Sequence, residues 1–392
     1  MNTRSRGTTG AAWPRRCTKA LRVLLLHNRY RLQGGEERAV ADIASLLRGH
    51  GHHVELLERS SDSLGRAAAG RAMLAGGIDP EDVSAAVRRI KADVVHAHNL
   101  YPLLGWRALA AAKGAGARTV LHLHNFRLFC AIGIAYREGT PCFRCRGTNT
   151  FPGLRLRCRG SIGEAAVYAA GLRLQQSRLL AHADAVVTVS HATAGRLSEL
   201  GLPVDRLSVL PNFVRAQDGS RAQDGEFALA AGRLVEEKGF DTAIAAARAA
   251  GVPLTIAGSG PDERRLRLLA DDTVTFTGLL SSPELTELRR RAAVALVPSR
   301  WEESCPYAVL DALATGVPVL VADRGGLPEL AGPESVVPAD DPGAWTEALT
   351  ALWRHPDRRR ARGEEGLARV REHFDEDRYL ERLLEIYAPS VS

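Results

Sequence analysis

Short, nearly unbroken apolar runs recur along this chain, and most are followed by a longer segment with helical spacing. RVLLLH (22–27), HVELLE (53–58), ADVVHAHN (92–99), RTVLHLHN (118–125), DAVVTVS (184–190) and RLSVLPN (206–212) are the runs of the first half. EFALAAGRL (226–234), PLTIAGSGP (253–261), VTFTG (274–278), AAVALVP (292–298) and VPVLV (317–321) are those of the second. Runs of this length fit strands covered on both faces in a parallel sheet. The intervening spacing predicts helices over about 36–48, 104–114, 162–181, 192–202, 263–270, 282–292, 307–315 and 343–354, a loop and helix over 236–250, and a terminal helix over 376–387. Residues 60–90 are rich in Ala, Arg and Gly, with helical periodicity and nothing that points to a site.

A direct duplication, RAQDG-S-RAQDG (215–225), interrupts the alternation and reads as a polar, flexible linker. The predicted organisation is a basic disordered tail (1–20), an N-terminal Rossmann-like domain (21–214) and the linker (215–225). A second Rossmann-like domain (226–375) follows, and a terminal segment (376–392) packs back on the first domain. At 392 residues, two domains are the natural division. The fold class is α/β, two parallel-sheet domains facing each other across a cleft. No run approaches the roughly 18 apolar residues of a membrane span, and the basic opening lacks the apolar core of a secretory signal. The expected location is therefore cytoplasmic, with the inner face of the membrane as a place of action. The net charge of +7 comes from arginine, since only Lys19, Lys91, Lys113 and Lys238 are lysines. Arginine is spread along the helices rather than gathered into an aromatic-interleaved stripe, which argues against nucleic acid. Peripheral contact with anionic lipid, or phosphorylated substrates, suits this charge better.

The densest chemistry lies in PSRWEESCPYAVLDALATGVPVLV (298–321). Glu303 sits on the loop after one buried strand, Pro306 opens a helix, and Asp311 follows on that helix. In open α/β sheets this is where ligands bind, beyond the carboxyl ends of strands and against helix N-termini. Arg233 and Lys238 lie beyond another strand end, and two cations there suit a diphosphate. GSGP (258–261) reads equally as a phosphate loop or a simple turn. Gly34-Gly35 opens the first helix and would let backbone approach a ligand, or merely punctuate a loop. The strand ends HAHN and HLHN carry His96, His98, His122 and His124. Lacking a carboxylate partner, they fit a zinc site poorly. They read better as crevice linings, with His124 best placed for chemistry and His96 and His122 as core histidines. Segment 126–160 holds Cys130, Cys142, Cys145 and Cys158 in a C-x11-C-x2-C-x12-C pattern. Free or partly buried thiols, a structural zinc and disulfides are the three readings of that set.

AGRLVEEKGFDTAI, AGSGPDERRL, VTFTGLL and PSRWEESCPYAVLDALATGVPVL together resemble the nucleotide-sugar-binding half of family 4 retaining glycosyltransferases (glycosyltransferases group 1), which have the GT-B fold. The GG loop at 34–35, the HN at 124–125, SHAT (190–193) and VLPNFV (209–214) extend the resemblance over about residues 21–385. The resemblance implies a metal-independent hexosyltransferase. It would move sugar from a nucleotide-diphosphate sugar to a glycan, lipid-linked or small-molecule acceptor, with no cofactor required for catalysis. Arg233 and Lys238 would neutralise the donor diphosphate, and Glu303 would contact the donor sugar as first carboxylate of an E-x7-E motif. Asp311 would take the place of the second carboxylate, on the ribose, where the family usually has Glu. Backbone near Pro306, Tyr307 and Ala308, with Gly34 and Gly35, would hold sugar and phosphates, and His124 would meet the sugar near the anomeric carbon. The alternative is a catalytically degenerate GT-B scaffold in a polysaccharide assembly.

Overall fold

The computed structural model describes residues 19–29, 34–60, 64–203 and 207–388. Most of the basic tail and the start of the loop before Gly34 lie outside them. Two six-stranded sheets carry the fold, each parallel throughout. The first runs, in spatial order, His53–Ser60, Arg22–Arg29, Val94–Ala97, Arg118–Leu123, Ala185–Thr188 and Leu207–Val209. The second runs Val274–Gly278, Leu254–Ala257, Phe227–Ala231, Ala292–Val297, Val319–Ala322 and Val336–Val337. In both, the strand order reverses beside the first strand of the half, and the crevice of a doubly wound sheet opens at that reversal. In the second sheet the reversal falls between Phe227–Ala231 and Ala292–Val297. The loops carrying Arg233 and Glu303 leave these two strands.

Burial follows from the composition of the strands. Leu24, Leu26, Val95 and Leu121 face one layer of the first sheet with helices Gly105–Gly114 and Ile162–His182. Val23, Leu25, Val94 and Val120 face the other with helix Gly35–Gly49. The terminal helix Glu376–Tyr387 lies on that second layer through Tyr379, Leu380, Leu383 and Ile386. The second sheet has one continuous core around Leu229, Ile256, Val294, Leu320 and Trp345.

Two features differ from the sequence reading. Helix Pro356–His373 was not predicted, because its sequence, PDRRRARGEEGLARVREH, has almost no apolar stripe. It docks instead through glycines: a Cβ on Gly363 would stand 2.1 Å from the Gly316 carbonyl oxygen. Segment 215–225 is fastened rather than flexible. Ser220 Oγ donates to the Gly316 carbonyl at 2.5 Å, and Arg359 donates to the carbonyls of Ala222 and Gln223 at 2.8 Å. Repetition of polar residues disguised a stretch whose backbone is bound by that long helix.

Candidate active site

Strand Phe227–Ala231 ends in the Arg233 loop, and a single 3-10 turn, Glu236–Lys238, brings the lysine round. Gly239 then enters helix Phe240–Ala250 at φ +68°, where a Cβ would lie 2.0 Å from the Pro298 carbonyl oxygen. Only glycine lets the lysine turn press against the start of the Glu303 loop. The result is a closed polar set: Lys238 Nζ stands 2.5 Å from Glu303 Oε1, and Ser299 Oγ donates to the same oxygen at 2.7 Å. Glu303 is 3% exposed. A carboxylate so deep is tolerated because a cation and a hydroxyl both reach it. Asn212 Nδ2, from the N-terminal half, donates to the Cys305 carbonyl, and Gly326 N to the Glu303 carbonyl, so the loop is held from both sides. Among the described residues Arg233 contacts Glu237 at 3.5 Å, and its side chain is half exposed. The 258–261 turn lies against this loop through Leu234 N to the Ser259 carbonyl.

Helix Tyr307–Ala314 begins directly after Pro306 and meets the N-terminal half. Gly35 lies against the Tyr307 ring, the Tyr307 hydroxyl donates to Asp42 at 3.2 Å, and Arg38 covers the ring at 3.9 Å. The sequence-predicted Gly34, Gly35, Pro306, Tyr307 and Ala308 are thus neighbours across the cleft. Asp311, one turn further, has both oxygens engaged: Arg38 binds it in a two-pronged contact at 2.7 and 2.8 Å, and Arg289 stands at 3.0 Å. Two guanidinium groups thus hold the carboxylate that the resemblance assigns to the donor ribose. Asp is one methylene shorter than Glu, which keeps it within reach of the buried Arg289. Burial pulls the Arg289 pKa down, and Asp311 opposes that shift.

The strand-end histidines form one continuous cluster. His96 Nε2 meets His122 Nδ1 at 3.2 Å, His96 Nδ1 meets the Tyr387 hydroxyl at 2.9 Å, and His98 Nδ1 meets His124 Nε2 at 2.9 Å. Burial pushes His96 and His124 down to about 3, and His98 and His122 well below their ordinary value, so all are neutral imidazoles at pH 7. His98 Nε2 and His122 Nε2 are buried without a hydrogen-bond partner. A cavity of about 30 Å³ lies among His98, His122, His124, Tyr101 and Glu36. Its edge is tied to the GG turn, because Asn125 Nδ2 donates to Glu36 at 3.2 Å. His124 thus stands beside the start of the first helix, which itself touches Tyr307.

Sequence reasoning missed the residues that join the halves. Arg196 makes a two-pronged contact with Glu302, next to Glu303, at 2.7 and 3.1 Å. Glu329 accepts the N–H groups of His191 and Ala192, capping helix His191–Glu199 from the opposite domain. Ser299 was visible in the PSRWEE run, but Arg38, Arg289 and Arg196 are indistinguishable by pattern from the many solvated arginines. Among the described residues, no helix is long and apolar enough to cross a membrane.

A domain described as glycosyl transferase 4-like matches residues 34–212, and the family described as glycosyl transferases group 1 matches residues 215–369. The fold is similar to that of Anabaena HepE in complex with UDP. The TM-score is 0.65 over 93% of this chain and 99% of that one, at 17% identity. That likeness, with the two facing sheets, defines the class as GT-B. The sequence is 30% identical over 350 residues to the D-inositol 3-phosphate glycosyltransferase of Acidothermus cellulolyticus, covering 75% of this chain and 71% of the relative. A glycosyltransferase of Escherichia coli K12 named for colanic acid biosynthesis, WcaL, is 31% identical over 202 residues, 45% of this chain and 50% of that protein. The chain spans about half the length of that relative. It belongs to the group 1 glycosyl transferases of family 4.

Proposed function

We propose that this protein is a retaining hexosyltransferase that moves a sugar from a nucleotide-diphosphate sugar to an acceptor hydroxyl. The observation that carries the reading is the Lys238–Glu303 pair at the strand-order reversal, with Arg233 left open beside it. Glu303 would accept hydroxyl hydrogens of the donor sugar, while Lys238 and Arg233 would take the charge that builds on the diphosphate as it leaves. Two protein cations in that position give the leaving group its counter-charge without a divalent ion, and we assign the reaction no catalytic metal. The acceptor oxygen would bond to the anomeric carbon on the face from which the phosphate departs, and the departing phosphate oxygen would take the acceptor proton. A neutral His124, hydrogen-bonded to His98, suits a contact with the sugar and not proton abstraction. HepE, solved with UDP, and WcaL, named for colanic acid biosynthesis, support a nucleotide-sugar donor and a glycan or lipid-linked acceptor in cell-surface polysaccharide or glycoconjugate synthesis. We place the enzyme in the cytoplasm, at the inner face of the membrane where a lipid-linked acceptor would be met.

The second reading, a scaffold with a degenerate site, draws on Asp311, whose oxygens are already held by arginine. Incubation of the purified chain with a panel of labelled nucleotide sugars separates the two. We expect hydrolysis or transfer from one donor, reduced about 10- to 150-fold in Lys238→Ala and Glu303→Ala, since each charge-assisted contact contributes about 1.5–3 kcal/mol. Unchanged circular dichroism in both variants would keep the loss local. Full activity in the two variants would remove this site from the reaction, and silence across the panel would leave the scaffold.

A further inference from the structure

Segment 126–160 is large for the little regular structure it contains. It holds two two-residue strands, Tyr136–Arg137 and Thr140–Pro141, and one five-residue helix, Phe151–Arg155. Yet it is an ordered wall of the cleft. Phe126 and Phe129 are buried in the N-terminal core, and Gly139 lies close to Glu236 of the lysine turn. Phe143 carries the guanidinium of Arg196, the same group that grips Glu302. Its backbone hydrogen bonds lie mostly within single turns, which leaves side chains a large share in holding the loops to one another.

The four cysteines converge there. Cys130, Cys142, Cys145 and Cys158 all line one cavity of about 20 Å³, and all four are free thiols. Cys145 Sγ donates to the Thr150 carbonyl at 4.0 Å. Arg137 Nη1 stands 3.9 Å from Cys158 Sγ, a cation at the edge of the set.

We propose that this segment is folded around one zinc ion held by the thiolates of Cys130, Cys142, Cys145 and Cys158. The ion fixes the wall that the N-terminal half turns toward Glu236–Lys238. An all-sulfur set of four with a C-x2-C step is the donor chemistry of a structural tetrahedral zinc. On binding, the four thiols release their protons to solvent and four Zn–S bonds form, with no change of oxidation state; Arg137 offsets part of the resulting negative charge. The sulfurs must move inward for this. Among the described residues, the group whose donor atoms already lie within 4.8 Å of one another is His96, His98 and His122. All four cysteines lie outside helices and strands, on turns and loops where a side-chain rotation or a small backbone shift can make that adjustment. The histidine triple is the weaker site, because both ring nitrogens of His96 are already hydrogen-bonded, to His122 and Tyr387.

The proposal is independent of the donor reading and is tested by metal content. The full chain, purified without chelator, should carry about one zinc per molecule by elemental analysis. That zinc should be lost in Cys142→Ser and in Cys145→Ser and kept in His98→Ala. Replacement with cobalt should give intense thiolate-to-metal charge transfer and a tetrahedral visible spectrum, a reading on the native sequence that stands even where a serine variant fails to fold. A metal-free chain that takes up neither zinc nor cobalt would overturn the site, as would disulfides found by mass. Zinc that survives the serine substitutions and leaves with His98 would place the metal on the imidazoles instead.

Discussion

Asp311 is held by arginines from both halves of the chain. On sequence it sits eight residues after Glu303, and both belong to one strand–loop–helix step. In space the two have separate partners: Glu303 faces Lys238 and Ser299, whereas Asp311 faces Arg289 and Arg38. The two arginines are unequal. Arg289 is 7% exposed, and among the described residues Asp311 is the carboxylate it pairs with, its counter-charge. The Arg38 side chain is 41% exposed, and it also reaches Asp42. Removing Asp311 strands a buried cation, which costs about 3–5 kcal/mol. Removing Arg38 leaves the inner pair intact and costs about 0–1 kcal/mol. Urea midpoints of Asp311→Ala and Arg38→Ala should therefore separate widely; equal midpoints would mean that Arg289 does not depend on Asp311.

The strand ends were the most legible elements, because four or more apolar residues followed by a polar tip is a pattern few other structures produce. Their histidines were legible only as residue types. The HAHN and HLHN tips list them in two pairs, but pairing of Val94–Ala97 with Arg118–Leu123 is what stacks the two sets into one cluster. That burial has a consequence in acid. The folded-state pKa values are lowered, to about 3 for His96 and His124 and well below the ordinary value for His98 and His122. Below pH ~6.5 the unfolded chain takes up protons that the folded cluster refuses, so stability is present at neutral pH and is lost as pH falls from about 6.5 toward 3. The slope is about 1.4 kcal/mol per pH unit for each histidine involved. Denaturant midpoints should drop steadily from pH 7 to pH 5, and less steeply in His98→Asn. A flat profile over that window would show that the cluster is already charged or open. Helix Pro356–His373 is the opposite case: its buried face is Arg359, Gly363, Gly366, Leu367 and Val370, and two large apolar side chains are too few to announce it.

At the scale of the whole molecule, the alternation of elements predicts two parallel-sheet domains and two such sheets are present, while the way the halves meet was not written in any pattern. Apart from the apolar contact of Gly35 with Tyr307, much of the described junction beside the site is charged. Arg38 meets Asp311, Arg196 meets Glu302, and Glu329 caps the helix that starts at His191. Such pairs report on distance and on solvent alike. At about 1 M salt the Debye length falls to about 3 Å, and partly exposed pairs lose most of their attraction, whereas apolar contacts are not weakened by the screening. The Arg196 and Arg38 pairs are partly open to solvent, so the halves should separate more easily as salt rises. Small-angle scattering of the full chain should give a larger radius of gyration at about 1 M than at about 0.05 M sodium chloride. Arg38→Ala combined with Arg196→Ala should reach the expanded value already at low salt, because the same two attractions are missing. If neither salt nor the double substitution changes the scattering curve, packing of the terminal helix and the fastened 215–225 segment holds the halves together, and the ion pairs only set their register. Should expansion occur, the loops carrying Lys238 and Glu303 stay joined, since both belong to the second sheet, while the GG turn and His124 move away with the first.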